Sequence, residues 1–174
     1  MLKIPIGDDD HVQGPADAAI TLVEYGDYQC PHCGHAYPIV QQLQKHYGHR
    51  LRFVFRNFPL RDVHPMAEPA AEAAEFAGAA GKFWEMHDAI FENQSELSVP
   101  LLLSLADALD LPSADLEAAL NAETFATKVQ ADFLGGVRSG VNGTPTFYIN
   151  DSRHNGPFEF EDLVAAIEVR LMKR

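Results

Sequence analysis

The chain has 174 residues, of which 47% are hydrophobic, and its 25 acidic and 13 basic side chains give a formal net charge of -12. This length is enough to bury a hydrophobic core in one domain without cross-links. The negative charge repels nucleic acid and anionic membrane surfaces, which argues against a nucleic-acid-binding protein. No apolar run approaches the roughly 20 residues that cross a bilayer, so we expect no membrane insertion.

The N-terminal segment, residues 1–14, is acidic at residues 8–10 and lacks the apolar stretch of a secretory signal peptide. As written, the sequence predicts a cytoplasmic protein. The alternative is a periplasmic or otherwise exported protein whose N-terminus was processed or truncated.

The first part of the chain has a β-α-β pattern. Residues 20–25 are β-branched and aromatic, which predicts a buried strand. Apolar residues at helical spacing predict a helix that begins at Pro31 and ends before Gly48. Pro38 lies inside this helix and should kink it. A second strand is predicted over residues 51–56.

The rest of the chain begins with a helical segment. Residues 61–139 are rich in Ala, Leu and Glu, which predicts four or five helices. A strand over residues 146–149, a short return strand and an amphipathic helix over residues 161–172 follow. This order predicts an α/β domain, formed by residues 1–60 and 140–174, into which the helical segment is inserted as a subdomain.

Two cysteines, Cys30 and Cys33, are the only thiols of the sequence, and they enclose Pro31 and His32. At a helix start, positions i and i+3 share one face and lie within reach of a disulfide. Two cysteines this close together constrain little of the unfolded chain, so we interpret them as reactive residues that form a redox-active disulfide.

The predicted helix start favours a thiolate at Cys30. Its sulfur would face unpaired N-H groups and the positive end of the helix dipole, and His32 could add a charge or a hydrogen bond. Such settings lower a thiol pKa to about 3.5 to 7.5. A stabilised thiolate makes the disulfide a stronger oxidant, because reduction produces the thiolate. We therefore predict a solvent-facing nucleophile at Cys30 and a less exposed, resolving cysteine at Cys33.

Glu24 lies in the first predicted strand, six residues before Cys30. If this carboxyl group is buried, its pKa should be raised and it could exchange protons with Cys33. A glutamate that faces water at the edge of the sheet is an equally weighted alternative.

Three motifs resemble the DsbA-like branch of the thioredoxin superfamily, in the same order along the chain. They lie at residues 24–33, which include Cys-Pro-His-Cys, at residues 83–87 and at residues 140–147. The resemblance covers nearly the whole chain. It implies a thioredoxin fold, with a central mixed sheet flanked by helices and an inserted all-helical subdomain. It also implies disulfide exchange with protein or peptide thiols.

The resemblance further implies roles for individual residues. The residues that match the family's nucleophile, resolving cysteine, tuning residue and buried acid are Cys30, Cys33, His32 and Glu24. The residues implied to bind substrate are Pro31, Val141, Thr144 and Pro145. The last two match the family's cis-proline loop, whose backbone pairs with substrate as an added strand. Spacing alone would not predict a cis bond, since only about 5 to 6% of X-Pro bonds are cis.

A metal site is the first alternative to thiol exchange. The possible ligands are Cys30, His32, Cys33 and His35. A closed zinc site needs four ligands in a tetrahedron, and helix spacing points His32 away from the others, so we expect no metal and no other cofactor. We place the remaining polar candidates at the surface or at helix ends, namely His46, His49, His64, His87, His154, Glu72, Glu75 and Glu85.

Three functions remain open from the sequence. The first is a monomeric thiol-disulfide oxidoreductase that exchanges with protein or peptide thiols and is recycled by an unidentified redox partner. The second is a redox-gated chaperone or client-binding module that uses the disulfide as its switch. The third is a glutathione-linked enzyme of related fold, against which Cys33 argues because such enzymes generally lack a second cysteine at this spacing.

Overall fold

The computed structural model describes residues 1–173. Its strands are β1 (His11–Gln13), β2 (Ile20–Gly26), β3 (Leu51–Asn57), β4 (Thr146–Ile149) and β5 (Ser152–Arg153). Its α-helices are α1 (Pro31–Tyr47), α2 (Ala67–Ala79), α3 (Phe83–Glu92), α4 (Val99–Ala108), α5 (Ser113–Asn121), α6 (Ala126–Ser139) and α7 (Phe160–Leu171). Short 3-10 helices at Gly48–Arg50 and Gln94–Glu96 follow α1 and α3.

The strands form one mixed sheet in the order β1-β3-β2-β4-β5. β2 is parallel to β3 and antiparallel to β4, whereas β1 and β5 are antiparallel edge strands. The central strand β2 therefore has a neighbour on each side. The predicted α/β fold, with a central mixed sheet and flanking helices, is confirmed.

The first strand that the sequence predicts begins at residue 20, so β1 is a strand that the sequence did not predict. This strand has three residues, too few to show an alternating pattern in the sequence. It forms because its backbone pairs with the outer edge of β3, where His11 lies opposite Phe55. The strand therefore depends on a partner about 40 residues away along the chain.

Helix α1 begins and ends where its sequence predicts. Cys30 has extended backbone angles and is the N-cap residue, and Pro31 occupies the first turn, where its missing N-H costs nothing. Gly48 ends the helix with a positive φ of 54°, a conformation that glycine adopts without strain. Pro38 lies inside the helix as predicted.

Alternation along β2 and its neighbours divides the core between the two faces of the sheet. One face carries Leu22, Phe53, Phe55, Phe147 and Ile149, which pack against α1, α3 and α7. The other face carries Val23, Tyr25, Val54 and Tyr148, which pack with Phe58 and Val141. Glu24 lies two residues after Leu22 on β2, so its side chain points to the same, first face.

Five helices, α2 to α6, lie between β3 and β4. Their buried residues continue the core of the first sheet face without a break, through Ala73, Met86, Leu102 and Leu116. The division into an α/β domain and an inserted subdomain stays a prediction. Across residues 1–173, no helix has both the length and the apolar character that a bilayer crossing requires.

Candidate active site

Cys30 and Cys33 lie at the two ends of the first turn of α1. Cys33 is fully buried. Cys30 is the more accessible of the two, as predicted, but it is 4% exposed, so the expectation of an openly solvent-facing sulfur is wrong. The loop that contains Thr144 covers this sulfur: Sγ of Cys30 lies 3.5 Å from the carbonyl oxygen of Thr144.

The surroundings of the two thiols have opposite effects on their acidity. Hydrogen bonds from the Cys33 thiol, from Thr144 and from the N-H groups of Cys33 and His32 lower the pKa of Cys30 to about 5, although burial opposes this shift. Burial raises the pKa of Cys33 well above its usual range, and its hydrogen bond to Cys30 and the charge of Glu24 add to this effect. At neutral pH the pair is therefore one thiolate and one thiol.

His32 contributes to this site through its backbone N-H group. Its side chain is exposed, and within residues 1–173 its ring forms no hydrogen bond that would reach a cysteine. A tuning role for the imidazole stays a prediction. Pro31 is also exposed beside Cys30, where a substrate could contact it.

Glu24 is buried, with 3% of its surface exposed. The alternative of a water-facing glutamate at a sheet edge is wrong, because β2 is central and Glu24 lies between Phe55 and Phe147 of the adjacent strands. Its Oε1 atom has no hydrogen-bond partner among the described residues. Burial, with a smaller contribution from the charge of Cys30, raises the pKa of Glu24 to about 8.

A small cavity of about 60 Å³ adjoins Glu24. Its polar lining comes from Gln13, Tyr37, Gln41, Gln44, His87 and Asp88. This volume is sufficient for a few water molecules. The carboxyl group of Glu24 thus adjoins a cavity with polar walls. It also interacts electrostatically with Cys33, since its charge raises the pKa of that thiol.

The Thr144-Pro145 peptide bond is cis, and both residues are half-buried next to Cys30. Arg153 holds the preceding loop by donating to the carbonyl of Gly140 and to the side chain of Asn142. The loop around Pro145 thus lies beside Cys30, and substrate binding by Thr144 and Pro145 stays a prediction.

Val141 differs from the other predicted substrate-binding residues. Its side chain is 5% exposed and packs in the core of the second sheet face. Its N-H donates to the carbonyl of Gly136 at the end of α6. The side chain of Val141 therefore contributes to packing, and its role in substrate binding stays a prediction.

Two polar side chains near the cysteines were missed by sequence reasoning. Asp27 is buried and accepts hydrogen bonds from the backbone N-H groups of Gln29 and Cys30. Its position three residues before Cys30 is a signal for such an Asx turn. Gln94 donates from Nε2 to the carbonyls of Tyr28 and Cys30, both at 2.8 Å. No local signal marks Gln94, since it lies 64 residues from Cys30.

Several polar residues predicted at the surface are buried. His87 is 4% exposed, with Nδ1 2.9 Å from the hydroxyl of Tyr28, and burial lowers its pKa to about 3. Glu75 accepts hydrogen bonds from Asn57 and His11. Burial raises the pKa of Glu72 to about 7. These predictions fail because α2 and α3 are covered on several sides by neighbouring helices.

Among residues 1–173, no group of three or more His, Cys, Asp or Glu side chains is arranged to hold a metal ion. The polar groups of the site are two thiols, the buried carboxyl groups of Glu24 and Asp27, and the loop around Pro145.

A family model described as Thioredoxin matches residues 7–169. The chain belongs to the thioredoxin family. Among solved structures, BdbD from Bacillus subtilis matches this chain with a TM-score of 0.86 and 28% identity over 94% of each chain. A thioredoxin-like oxidoreductase from Silicibacter pomeroyi matches with a TM-score of 0.83 and 27% identity over 97% of this chain and 95% of that one. The predicted DsbA-like class of oxidoreductase is confirmed.

The fold is also found in solved structures of lower sequence identity. Wolbachia pipientis alpha-DsbA1 has 21% identity and a TM-score of 0.84 over 99% of this chain and 95% of its own. At this identity the match supports the fold alone.

The curated relatives are much longer proteins. The Na(+)/H(+) antiporter NhaA 1 of Salinispora arenicola is 46% identical over 95% of this chain, but the match covers 26% of the relative. The Na(+)/H(+) antiporter NhaA of Herminiimonas arsenicoxydans is 35% identical over 97% of this chain and 27% of its own length. The chain thus spans about a quarter of the curated relatives that it matches.

Proposed function

We propose that this chain exchanges a Cys30-Cys33 disulfide with protein or peptide thiols through a mixed disulfide. The observation that carries the proposal is the contrast between the two thiols, since the pKa of Cys30 is lowered to about 5 while that of Cys33 is raised well above its usual range. One sulfur is thereby a good leaving thiolate and nucleophile at neutral pH, and the other holds a proton.

The exchange balances in two steps. A substrate thiolate attacks Sγ of Cys30, the Cys30-Cys33 bond breaks, and Sγ of Cys33 takes the electron pair. Glu24 is protonated at pH 7, because its pKa is raised to about 8, and it supplies the proton that Cys33 then binds. A second substrate thiolate attacks the substrate sulfur of the mixed disulfide, and Cys30 leaves as a thiolate. The substrate loses two electrons, and the cysteine pair gains them.

We place the substrate at Thr144, Pro145 and Pro31. The loop that contains Thr144 and Pro145 enters β4 directly and lies 3.5 Å from Sγ of Cys30 at its carbonyl oxygen. A peptide that adds to this backbone as an extended strand would bring its own sulfur to Cys30.

We further propose that the pair donates its disulfide rather than reducing others. A thiolate that is stabilised at pH 7 favours the reduced protein and the oxidised substrate. In a cytosol poised at about -220 to -320 mV such a centre would stay reduced. We therefore favour an oxidising compartment over the cytoplasmic location predicted from residues 1–14, with a separate redox partner that reoxidises the pair. A monomeric state is retained as part of this proposal.

The antiporter names belong to proteins about four times the length of the match. We propose thiol exchange for the quarter that the chain shares with them, since that quarter coincides with the match to the thioredoxin family. Ion transport is not carried over to this chain.

The redox midpoint of the cysteine pair, measured in glutathione buffers and read by thiol alkylation, tests the proposal. We expect a reversible two-electron couple whose midpoint falls by about 30 mV per pH unit between pH 6 and 7.5, the value for one proton taken up by Cys33. Below about pH 5 the slope should approach about 59 mV per pH unit, because Cys30 then binds a second proton. Glu24 should stay protonated in both states, because burial is the main cause of its raised pKa.

A slope near 59 mV per pH unit at pH 7 would show that reduced Cys30 is a thiol, which contradicts the proposed thiolate. A midpoint near that of thioredoxin, about -270 mV, would contradict the disulfide-donating direction but leave exchange itself intact.

A further inference from the structure

The carboxyl group of Asp27 is fully buried and accepts hydrogen bonds from four donors. Its Oδ1 atom accepts from the N-H groups of Gln29 at 2.8 Å and Cys30 at 3.1 Å. Its Oδ2 atom accepts from the N-H of Leu60 at 2.9 Å and from Nδ1 of His64 at 2.7 Å. Both oxygens are thus fully engaged, which fixes the position of residue 27.

Asp27 also contacts Cys33 through its backbone. Its N-H donates to Sγ of Cys33, with 3.4 Å between nitrogen and sulfur. This hydrogen bond favours the charged form of Cys33, against the burial that raises the pKa of this thiol. In the proposed exchange, this sulfur gains negative charge when Cys33 leaves as a thiolate and when the Cys33 thiol loses its proton before attack, so a fixed donor there favours both steps.

His64 is the one side-chain donor among the four, and it lies at the surface of the loop that follows β3. Its side chain is 19% exposed, whereas the Asp27 carboxyl group is not exposed at all. Without this donor, Oδ2 of Asp27 would lose one of its hydrogen bonds in a buried position. A buried carboxylate compensates for such a loss by moving or by binding a water molecule. Movement of the carboxyl group shifts residue 27, and with it the N-H that reaches Cys33.

We propose that Asp27 and His64 form a positioning pair that holds the Asp27 N-H on the sulfur of Cys33. The pair thereby sets the rate of the step in which Cys33 resolves a mixed disulfide. The inference rests on the proposed exchange function. Neither residue touches the substrate, since Asp27 is buried behind the cysteines and His64 acts through it.

The alternative is a structural role, in which Asp27 stabilises the turn before α1 and has no selective effect on Cys33. The two roles differ in which chemical step responds. A structural defect should affect Cys30, whose N-H also binds Asp27, as much as Cys33. The positioning role predicts a selective effect on the step that uses Cys33.

Reduced protein mixed with glutathione disulfide separates the two steps. In the first step Cys30 attacks glutathione disulfide, which forms the Cys30-glutathione bond and releases one glutathione thiolate. In the second step Cys33 attacks Sγ of Cys30, closes the protein disulfide and releases the other glutathione. Acid quenching followed by mass spectrometry counts reduced, glutathionylated and oxidised protein at each time.

We expect His64→Ala to slow the second step about tenfold and the first step less than threefold, on the scale of one lost hydrogen bond to a charged group. His64→Gln, which keeps a side-chain donor, should restore the second step to within about threefold of the wild-type rate. The control is His49→Ala, because His49 is an exposed histidine outside this network. Its rates for both steps should match those of the wild type.

Equal slowing of both steps in His64→Ala, unchanged rates in that variant, or no rescue by His64→Gln would each overturn the positioning pair. Thermal unfolding of each variant shows whether it is folded, and if His64→Ala is not, Asp27→Asn is measured with the same expected selectivity. Wild-type protein that stays reduced, and so forms neither the glutathione adduct nor the Cys30-Cys33 disulfide, would instead overturn the exchange function itself.

Discussion

Replacement of Cys30 by serine is expected to abolish disulfide exchange, whereas replacement of Cys33 by serine should stop the reaction at the mixed disulfide. Cys30 is the thiolate of the pair, because its pKa is lowered to about 5, and no other thiol besides Cys33 exists in the chain. Cys33 is fully buried with its thiol against Cys30, so we expect it to resolve the adduct within the protein. Loss of this intramolecular step should lengthen the life of the adduct about 100-fold or more.

The adduct is measured by mass spectrometry under non-reducing conditions, after reaction with a peptide that contains one disulfide. Cys33→Ser should retain the peptide on Cys30 in most molecules, and a double variant without both thiols should retain none. The serine hydroxyl can still donate to the Cys30 thiolate, so nucleophilic attack should survive this substitution. Rapid turnover by Cys33→Ser, or a stable adduct formed by Cys30→Ser, would show that the roles are not divided in this way.

Local signals in the sequence were enough to predict the cysteine site. Pro31 and Gly48 mark the two ends of α1, and both do so by conformational preferences that need no distant partner. Cys30 and Cys33 then lie on the first turn of α1 as a consequence of their spacing. Burial of Glu24 was one of two equally weighted predictions, because the sequence could not show that its apolar strand is central.

The parts that sequence reasoning missed depend on contacts between distant segments. The bond between Asp27 and His64 joins residues 37 positions apart, and Gln94 reaches Cys30 from 64 positions away. Glu75 and His87 were placed at the surface because charged or polar residues on a helix usually lie there. Their burial depends on how α2 and α3 pack against the sheet and neighbouring helices, which helical periodicity does not reveal.

The conservative substitution Glu24→Gln is expected to slow exchange and to raise stability at neutral pH. The folded pKa of Glu24, about 8, lies above the ordinary value of 4.5, so folding favours the protonated form. The stability associated with that proton is fully present below about pH 4.5 and is lost as the pH rises through 8. Glutamine has no charge to bury and avoids this loss. The variant should therefore be more stable than the wild type by roughly 3 kcal/mol at pH 7.

The catalytic cost of Glu24→Gln follows from the same burial. In the proposed exchange, Glu24 supplies and accepts the proton of Cys33 as the disulfide opens and closes, and glutamine cannot do this. We expect exchange to slow between about 10-fold and 100-fold, at the low end of effects for general acid-base groups. The pKa of Cys30 should change little, because hydrogen bonds from Cys33 and Thr144 set it.

Denaturant unfolding of the reduced proteins between pH 4.5 and 8, together with exchange rates over the same range, checks both effects. The difference in unfolding free energy between Glu24→Gln and the wild type should be small at pH 4.5 and should grow with pH. Glu85→Gln is the matched control, because Glu85 is an exposed carboxylate on α3 and its removal should change neither quantity. A stability difference that does not vary with pH would mean that Glu24 is already charged throughout this range. It would then have no proton to give to Cys33.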